Sequence, residues 1–461
     1  MKKQLSYALL SLLISNSIYA GTQNQITPVT KETQYLLDMK HTLDQKMIQV
    51  ADNVYVATGY DASNISMIIG DSGYILIDSG KFPNNAEVVA EDFKKITDKP
   101  LKAVIFTHGH NDHVGGLGAF LKDNTEIQLI GADNLGSENN FDAIAGHSNQ
   151  RAYMQSGMAL PISERIHNGV AKAVKPVSKS VSKDKDPYAP AITKKDLTKV
   201  ITEPVTNITI DGLDFEITRT YGETDDHLMI HYKQGDVLFT GDLMYRSFPN
   251  LSAIRGTKYR DVGKWVESLD AILSKNANAL VMGHTRPFTG KETVKKAITN
   301  QRDAIKHVFD KTIEGMNIGL TPDEIVQYAK LPNELANDPN LAPLYGNPDW
   351  AVRGIFSGYL GWFDGNPTNL DPLPPQEEAK KYIKVMGGED AVYRLAQQAI
   401  SDAEYRWALQ LSDKLLVVNK ENQSYKNIKA DALMLLADNT LNTLARNYYN
   451  TYALELKSGK R

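Results

Sequence analysis

The chain has 461 residues, 51 basic and 55 acidic side chains, a formal charge of −4 and no cysteine. At about 100–200 residues per domain this length holds two or three domains with ample core. The absence of cysteine excludes disulfides, thiolate metal sites, iron–sulfur clusters and a cysteine nucleophile, so any metal must be held by His, Asp or Glu; the near-neutral balance leaves no electrostatic footprint for nucleic acid.

Met1-Lys2-Lys3, an apolar run from Ala8 to Ile14 and the small Ala20 before Gly21 predict a secretory signal peptide over residues 1–20. Its apolar run is shorter than the ~20 residues that span a bilayer, and no other segment is long and apolar enough. The expected location is therefore outside the cytoplasm, in the periplasm, with no membrane span. From Met47 to Gly80, short β-branched runs broken by turns predict successive strands, including Asn64–Ile69 and Gly73–Asp78. Ala86 to Thr97 has helical spacing, and Leu101–Phe106 is a strand that runs into a histidine-rich turn; Ile127–Gly131 is another. Residues 172–199, rich in Lys, Ser and Pro, read as a solvated insertion. Strands resume at Ile208, Phe215–Ile217, Leu228–Tyr232 and Val237–Phe239, followed by a helix over Val262–Ser274 and a strand at Leu280–Met282. Strands followed by helix, in two halves, predict a sandwich of two sheets with helices outside, an α/β domain over residues 21–290. Helical pattern dominates residues 291–461, read as a second, all-α domain in which Gly388–Ser401 and Asp402–Asn419 form a tandem pair.

Chemistry concentrates in Thr107-His108-Gly109-His110-Asn111-Asp112-His113-Val114-Gly115-Gly116, which holds three of the ten histidines directly after a strand. A loop at a strand end turns alternate side chains onto one point, and its glycines let backbone pass close to an ion. Imidazole and carboxylate suit zinc, iron or manganese. These groups do not complete a two-metal site, and Glu223, Asp242 and His284 stand at other strand ends as candidates. His227 and His231, four apart on one strand pattern, share a face, and His227 rivals Glu223 as a ligand.

This arrangement resembles the metallo-β-lactamase superfamily and its HxHxDH motif. Where many members have Gly-His-Thr, this sequence has Gly222-Glu223-Thr224, a substitution typical of the SDS-degrading alkylsulfatases. Gly358-Tyr359-Leu360-Gly361-Trp362-Phe363-Asp364-Gly365-Asn366-Pro367, Leu373-Pro374-Pro375 and Met386-Gly387-Gly388 are similar to that family's helical dimerisation region. The resemblance implies an αββα sandwich followed by an all-α dimerisation domain, a homodimer, and two Zn2+ per chain. It makes His108, His110 and Glu223 the ligands of one ion and Asp112, His113 and His284 those of the other, with Asp242 bridging; Asp112 and Asp242 would also be catalytic. Asp78 would orient a ligand histidine from behind.

The implied reaction is hydrolysis of an alkyl sulfate ester, a small anionic substrate, to an alcohol and inorganic sulfate. Asn250, Arg255 and Arg260 match family positions suited to holding the sulfate, since arginine forks fit such oxyanions. A family Thr-His-x-x-His-Asn run reads Tyr245-Arg246-Ser247-Phe248-Pro249-Asn250 here, without either histidine, and Arg246 becomes a further candidate anion contact. Arg151 and Tyr153 match a family stretch in part. Family members continue into a sterol-carrier-like domain that this sequence is expected to lack. Alternatives are another hydrolase on the same fold, acting on a phosphoester, lactone or β-lactam, or a non-catalytic protein keeping a relic metal site.

Overall fold

The computed structural model describes residues 29–121, 127–137, 145–161 and 192–460. The expected signal peptide and residues 172–191 of the expected insertion lie outside them; of the remainder of that insertion, Lys194–Asp196 form a 3-10 turn and Lys199 opens a strand.

The larger unit is built on two sheets. The first has seven strands in chain order: β1 (Lys46–Ala51), β2 (Val54–Thr58), β3 (Ile65–Ile69), β4 (Tyr74–Ile77), β5 (Leu101–Ile105), β6 (Gln128–Ala132) and β7 (Lys199–Ile201). β1 to β4 pair antiparallel and β4 to β7 parallel. The second orders its strands β13-β12-β11-β10-β9-β8, comprising β8 (Val205–Ile210), β9 (Leu213–Arg219), β10 (Leu228–Tyr232), β11 (Val237–Phe239), β12 (Ala279–Val281) and β13 (Phe288–Thr289). Only β11 and β12 run parallel in it, so their C-terminal ends emerge side by side.

Strand alternation explains the layering. Ile75 and Ile77 point inward with Ala103, Ile105, Phe215, Ile217, Ile230 and Phe239 to form the core between the sheets. Leu76 and Val104 point outward to Val89 and Phe93 of helix Pro83–Lys94. That helix starts at a proline in its first turn, which fixes the right φ where no backbone donor is needed. On the far side, Met229, Leu238 and Leu280 meet Trp265 and Leu269 of helix Val262–Ser274. Each such side chain stabilises the layer by about 1.5–3 kcal/mol.

Packing groups the residues after the expected boundary near 290 with the sandwich. Helix Lys291–Asn317 buries Val294, Ile298, Ile305 and Val308 in the same core as Trp265, and helices Pro322–Tyr328 and Pro348–Leu360 add Ile325, Val352 and Ile355 to it. The sandwich unit therefore runs to Leu370. Helical periodicity reports that a face is buried without reporting which core it joins.

The helical unit contains helices Pro375–Val385, Glu389–Ser401, Tyr405–Val418, Gln423–Asp438 and Thr443–Lys457. Val392, Ala396, Leu411, Leu415 and Ile428 form one core, and Ala430, Leu433, Ala453 and Leu456 another. An N-terminal helix, Lys31–Asp38, joins this unit, where Arg446 donates to Thr33 Oγ1 at 2.8 Å. Arg151 and Tyr153 lie on helix Ala145–Gln155, in residues grouped with the helical unit. No helix among the described residues is long and apolar enough to cross a membrane.

Candidate metal centre

Four strand ends build the site, a placement in which a rigid sheet fixes the loops that carry function. The loop after β5 supplies His108 and His110, and the short helix Asn111–Val114 supplies Asp112 and His113. Glu223 follows β9, Asp242 sits in a 3-10 turn after β11, and His284 follows β12. Their donor atoms fall into three interlocking groups, each within 4.8 Å: His108, His113 and Asp242; Asp112, His113 and His284; His110, Glu223 and Asp242. Asp242 stands at the centre, 3.7 Å from His108 Nε2, 3.4 Å from His113 Nε2 and 3.3 Å from His284 Nε2. The structure thus brings all seven sequence-derived residues together.

The outer nitrogens of these imidazoles are committed. His113 Nδ1 lies 2.8 Å from Asp78 Oδ2, and Asp78 also accepts from the backbone N–H and hydroxyl of Thr107, each at 2.8 Å. Asp78 makes these bonds from a left-handed backbone, φ 61°, a conformation aspartate tolerates better than most residues. His284 Nδ1 donates to the Ala62 carbonyl at 2.8 Å. With Thr107 giving its hydroxyl proton to Asp78, Thr107 Oγ1 accepts from His108 Nδ1 at 3.1 Å. His113, His284 and His108 therefore each turn an Nε2 lone pair inward, the tautomer a metal ligand needs, whereas His110 faces His108 Nε2 with its Nδ1, at 3.0 Å. Buried His113 Nε2 and Asp242 Oδ1 face each other without a hydrogen bond of good geometry, and buried polar atoms left so call for a cation.

Charge within the cluster is mutually tuned. Burial opposes ionisation of Asp242 and Asp112, but the neighbouring His284 and His113 hold both carboxyls below their usual range, Asp242 well below. Burial likewise opposes protonation of His113, which Asp242 and Asp78 nevertheless hold well above the ordinary imidazole value; His284 is raised against burial by Asp242 and Asp112. His108 is pushed well below by burial and by the imidazoles of His227 and His113. Such a set favours positive charge at its centre and makes metal affinity fall as protons compete.

Room at the centre is kept by glycine. A Cβ on Gly283 would lie 2.4 Å from Asp242 Oδ1 and 2.6 Å from His113 Cε1, and one on Gly241, whose φ is 49°, would lie 2.7 Å from Thr107 Oγ1.

His227 does not compete with Glu223. It lies just before β10, stacks on His108 with ring centres 4.0 Å apart, and accepts the backbone N–H of Asp242 on Nε2 at 3.3 Å. Its Nδ1 lies 2.8 Å from Thr224 Oγ1. Burial pushes it down to about 3, so it remains neutral. His231, expected on the same face, instead pairs with Asp236 at 3.4 Å. Arg246 is also corrected: Nε and Nη2 donate to the Arg286 and Pro287 carbonyls at 2.8 Å, and its guanidinium covers Phe288 at 3.6 Å, which leaves it a structural brace.

Around Glu223 lie Arg260 and Asn250, expected from the sequence, together with Tyr245 and Tyr345, which sequence patterns did not single out. Tyr245 donates to Glu223 Oε1 at 2.8 Å and stacks on His284 at 5.9 Å; burial, Asp242 and Glu223 hold its phenol well above the usual value, so it stays a donor. Tyr345 packs on Tyr245 at 5.5 Å, and its phenol too is raised by burial and by Glu223. Buried Arg260 places Nη2 3.0 Å from Glu223 Oε2 and donates through Nη1 to the Asn250 carbonyl. Asn250 is fully buried, and neither side-chain amide atom has a hydrogen-bond partner among the described residues. Arg255 is half-buried, within electrostatic reach of Tyr345. A further buried carboxylate, Asp226, accepts from the backbone N–H groups of Gly109 and Gly136 at 3.0 and 2.8 Å, tying the histidine loop to the Glu223 loop.

Residues 58–284 match the family model for the metallo-beta-lactamase superfamily, and residues 321–459 match that for alkyl sulfatase dimerisation. The chain is 32% identical over 401 residues to a linear primary-alkylsulfatase of Pseudomonas sp. (strain ATCC 19151), covering 85% of this chain and 73% of that protein. It is 32% identical over 429 residues to an (R)-specific secondary-alkylsulfatase of Pseudomonas sp., covering 90% of this chain and 63% of that one. The solved structure of the stereoselective inverting sec-alkylsulfatase Pisa1 from Pseudomonas sp. superimposes with a TM-score of 0.81 at 29% identity, covering 94% of this chain and 69% of that one. Sandwich, ligand cluster and helical region thus agree on one ancestry: the chain belongs to the alkylsulfatases, sulfuric ester hydrolases of the metallo-β-lactamase superfamily.

Proposed function

We propose that this chain is a dinuclear zinc hydrolase that cleaves alkyl sulfate esters to an alcohol and inorganic sulfate, working as a homodimer after export to the periplasm. The observation that carries the reading is that three neighbouring donor groups interlock, with the two-oxygen carboxylate of Asp242, the residue assigned to both ions, in two of them. His108, His110 and Glu223 would hold one ion, Asp112, His113 and His284 the other, with Asp242 shared. Bound divalent ions would supply Lewis acidity and an acidified water.

The protein's own groups account for the rest. Arg255, Arg260 and the unpartnered amide of Asn250 are assigned to the anionic head, where charge grows as the ester bond breaks. Arg260 also neutralises Glu223, keeping that carboxylate oriented. Tyr345, held protonated, places a hydroxyl beside the stretch where the family histidines are replaced, and Tyr245 commits its proton to orienting Glu223. Export rests on residues 1–20, and the dimer on the dimerisation-family match.

The test is metal content, followed by sulfate release from an alkyl sulfate series beside phosphodiester, lactone and β-lactam controls. Two zinc ions per chain with sulfate release are expected. Turnover of a control ester alone would move the assignment to another hydrolase on this fold. A wild type as inert as Asp112→Ala would mark a relic site.

A further inference from the structure

We infer that the four-residue turn Asp61-Ala62-Ser63-Asn64, between β2 and β3, is the clasp that sets the His284 side of the centre, with Asn64 as its positioning residue. The inference rests on reading His284 as a metal ligand. β12 ends at Val281, so the carbonyls of the next four residues have no strand partner in the ladder. Asn64 takes three of them. Its side-chain amide donates to the carbonyls of Met282 at 2.9 Å and Thr285 at 2.7 Å, and its backbone N–H donates to that of Gly283 at 2.7 Å. The neighbouring Ala62 carbonyl receives His284 Nδ1–H. One turn of the first sheet thus fixes both the place and the tautomer of a histidine carried by the second.

Strain explains why a clasp is needed. Thr285 has φ 67°, a left-handed conformation that a β-branched side chain resists, and such conformations persist only where surrounding bonds over-determine them. Asn64 bonds on both sides of His284 and so holds the chain in that bend. The rest of the turn reaches the other loops of the same side: Ser63 donates to the Asp112 carbonyl, and Asp61 accepts from the backbone N–H groups of Lys81 and Phe82, each at 2.8 Å, just beyond Asp78. Asn64 and Asp61 are buried.

The full chain loaded with Zn2+ is titrated with a chelator in wild type, Asn64→Ala, Thr285→Gly, the double variant and His284→Ala, with melting in excess chelator as a separate readout. Asn64→Ala is expected to weaken one of the two ions about tenfold or more while the other stays within about twofold, the range of an outer ligand-orienting contact. Adding Thr285→Gly, which takes φ 67° without a steric penalty, is expected to restore about threefold or more of that loss. Should Asn64→Ala not fold, Asn64→Ser, too short to span both carbonyls, is expected to show the same selective weakening. Equal weakening of both ions in step with melting, or no recovery with glycine at 285, would overturn the inference. If His284→Ala releases an ion and Asn64→Ala does not, the clasp fails while the ligand reading stands; if His284→Ala changes neither affinity, both fail.

Discussion

The centre has two unequal sides that meet at Asp242. On the side of His108, His110 and Glu223, the supporting groups are side chains: the Tyr245 phenol, the Arg260 guanidinium and the stacked ring of His227. On the side of Asp112, His113 and His284, support comes from Asp78 and from the β2–β3 turn, through the Asn64 side-chain amide, its backbone N–H and the Ala62 carbonyl. The first side is adjustable, because Tyr245 belongs to the run 245–249, where this sequence departs from family pattern, while Arg260 keeps to it. The second is scaffold, because its bonds tie loops of the two sheets to one another through Asp78, Asn64 and the backbone of the β2–β3 turn. Under the proposed function, selectivity among substrates would belong to the first side and retention of metal to the second.

The strongest way to break this division is at the shared residue. Asp242→Ala removes the carboxylate within 3.7 Å of three imidazoles and is expected to lose both ions and reduce sulfate release to background, read by elemental analysis and turnover. On the adjustable side, Arg260→Ala leaves Glu223 buried beside no guanidinium, at a cost of about 3–5 kcal/mol in chemical denaturation. That cost should shrink in a Glu223→Gln background; an unchanged cost would mean that Arg260 acts elsewhere. On the scaffold side, Asp78→Asn keeps the shape but weakens the grip on His113, and metal affinity should fall about 10–100-fold by chelator competition with KM little changed.

The smallest effect lies away from both sides and serves as a control. Glu216, bonded first to Lys233 and then to Lys275, is held down from 4.5 to about 2. A depressed carboxyl contributes stability above its unfolded value and loses it as pH falls through the folded one. Glu216→Gln should therefore flatten acid unfolding between about pH 4.5 and 2 while leaving metal content and turnover at neutral pH unchanged.

Much of the centre was legible because its chemistry is local or sits at predictable strand ends. Four donors lie within six residues of one loop, and Glu223, Asp242 and His284 each follow a strand with clear pattern. Asn64 was not legible: read alone it begins a strand, and its carbonyl partners are 218 and 221 residues away. Tyr245 was hidden for a different reason: in a run without the family histidines Arg246 is the evident cation, yet its donors face carbonyls, and a tyrosine carries no charge to mark it. Helix Lys291–Asn317 was recognisable as a helix, but its assignment to the sandwich depends on a partner face that periodicity does not encode.

The glycines at 241 and 283 carry a consequence for how such a protein diversifies. Each guards space that any side chain would fill with its first carbon, one against Thr107 and the other against the shared carboxylate. In a saturation library these two positions would return glycine alone, while the partly exposed stretch 252–259 would return many more sequences. Evolution of new specificity is thereby channelled along one edge of the centre, with the opposite edge locked by lack of room.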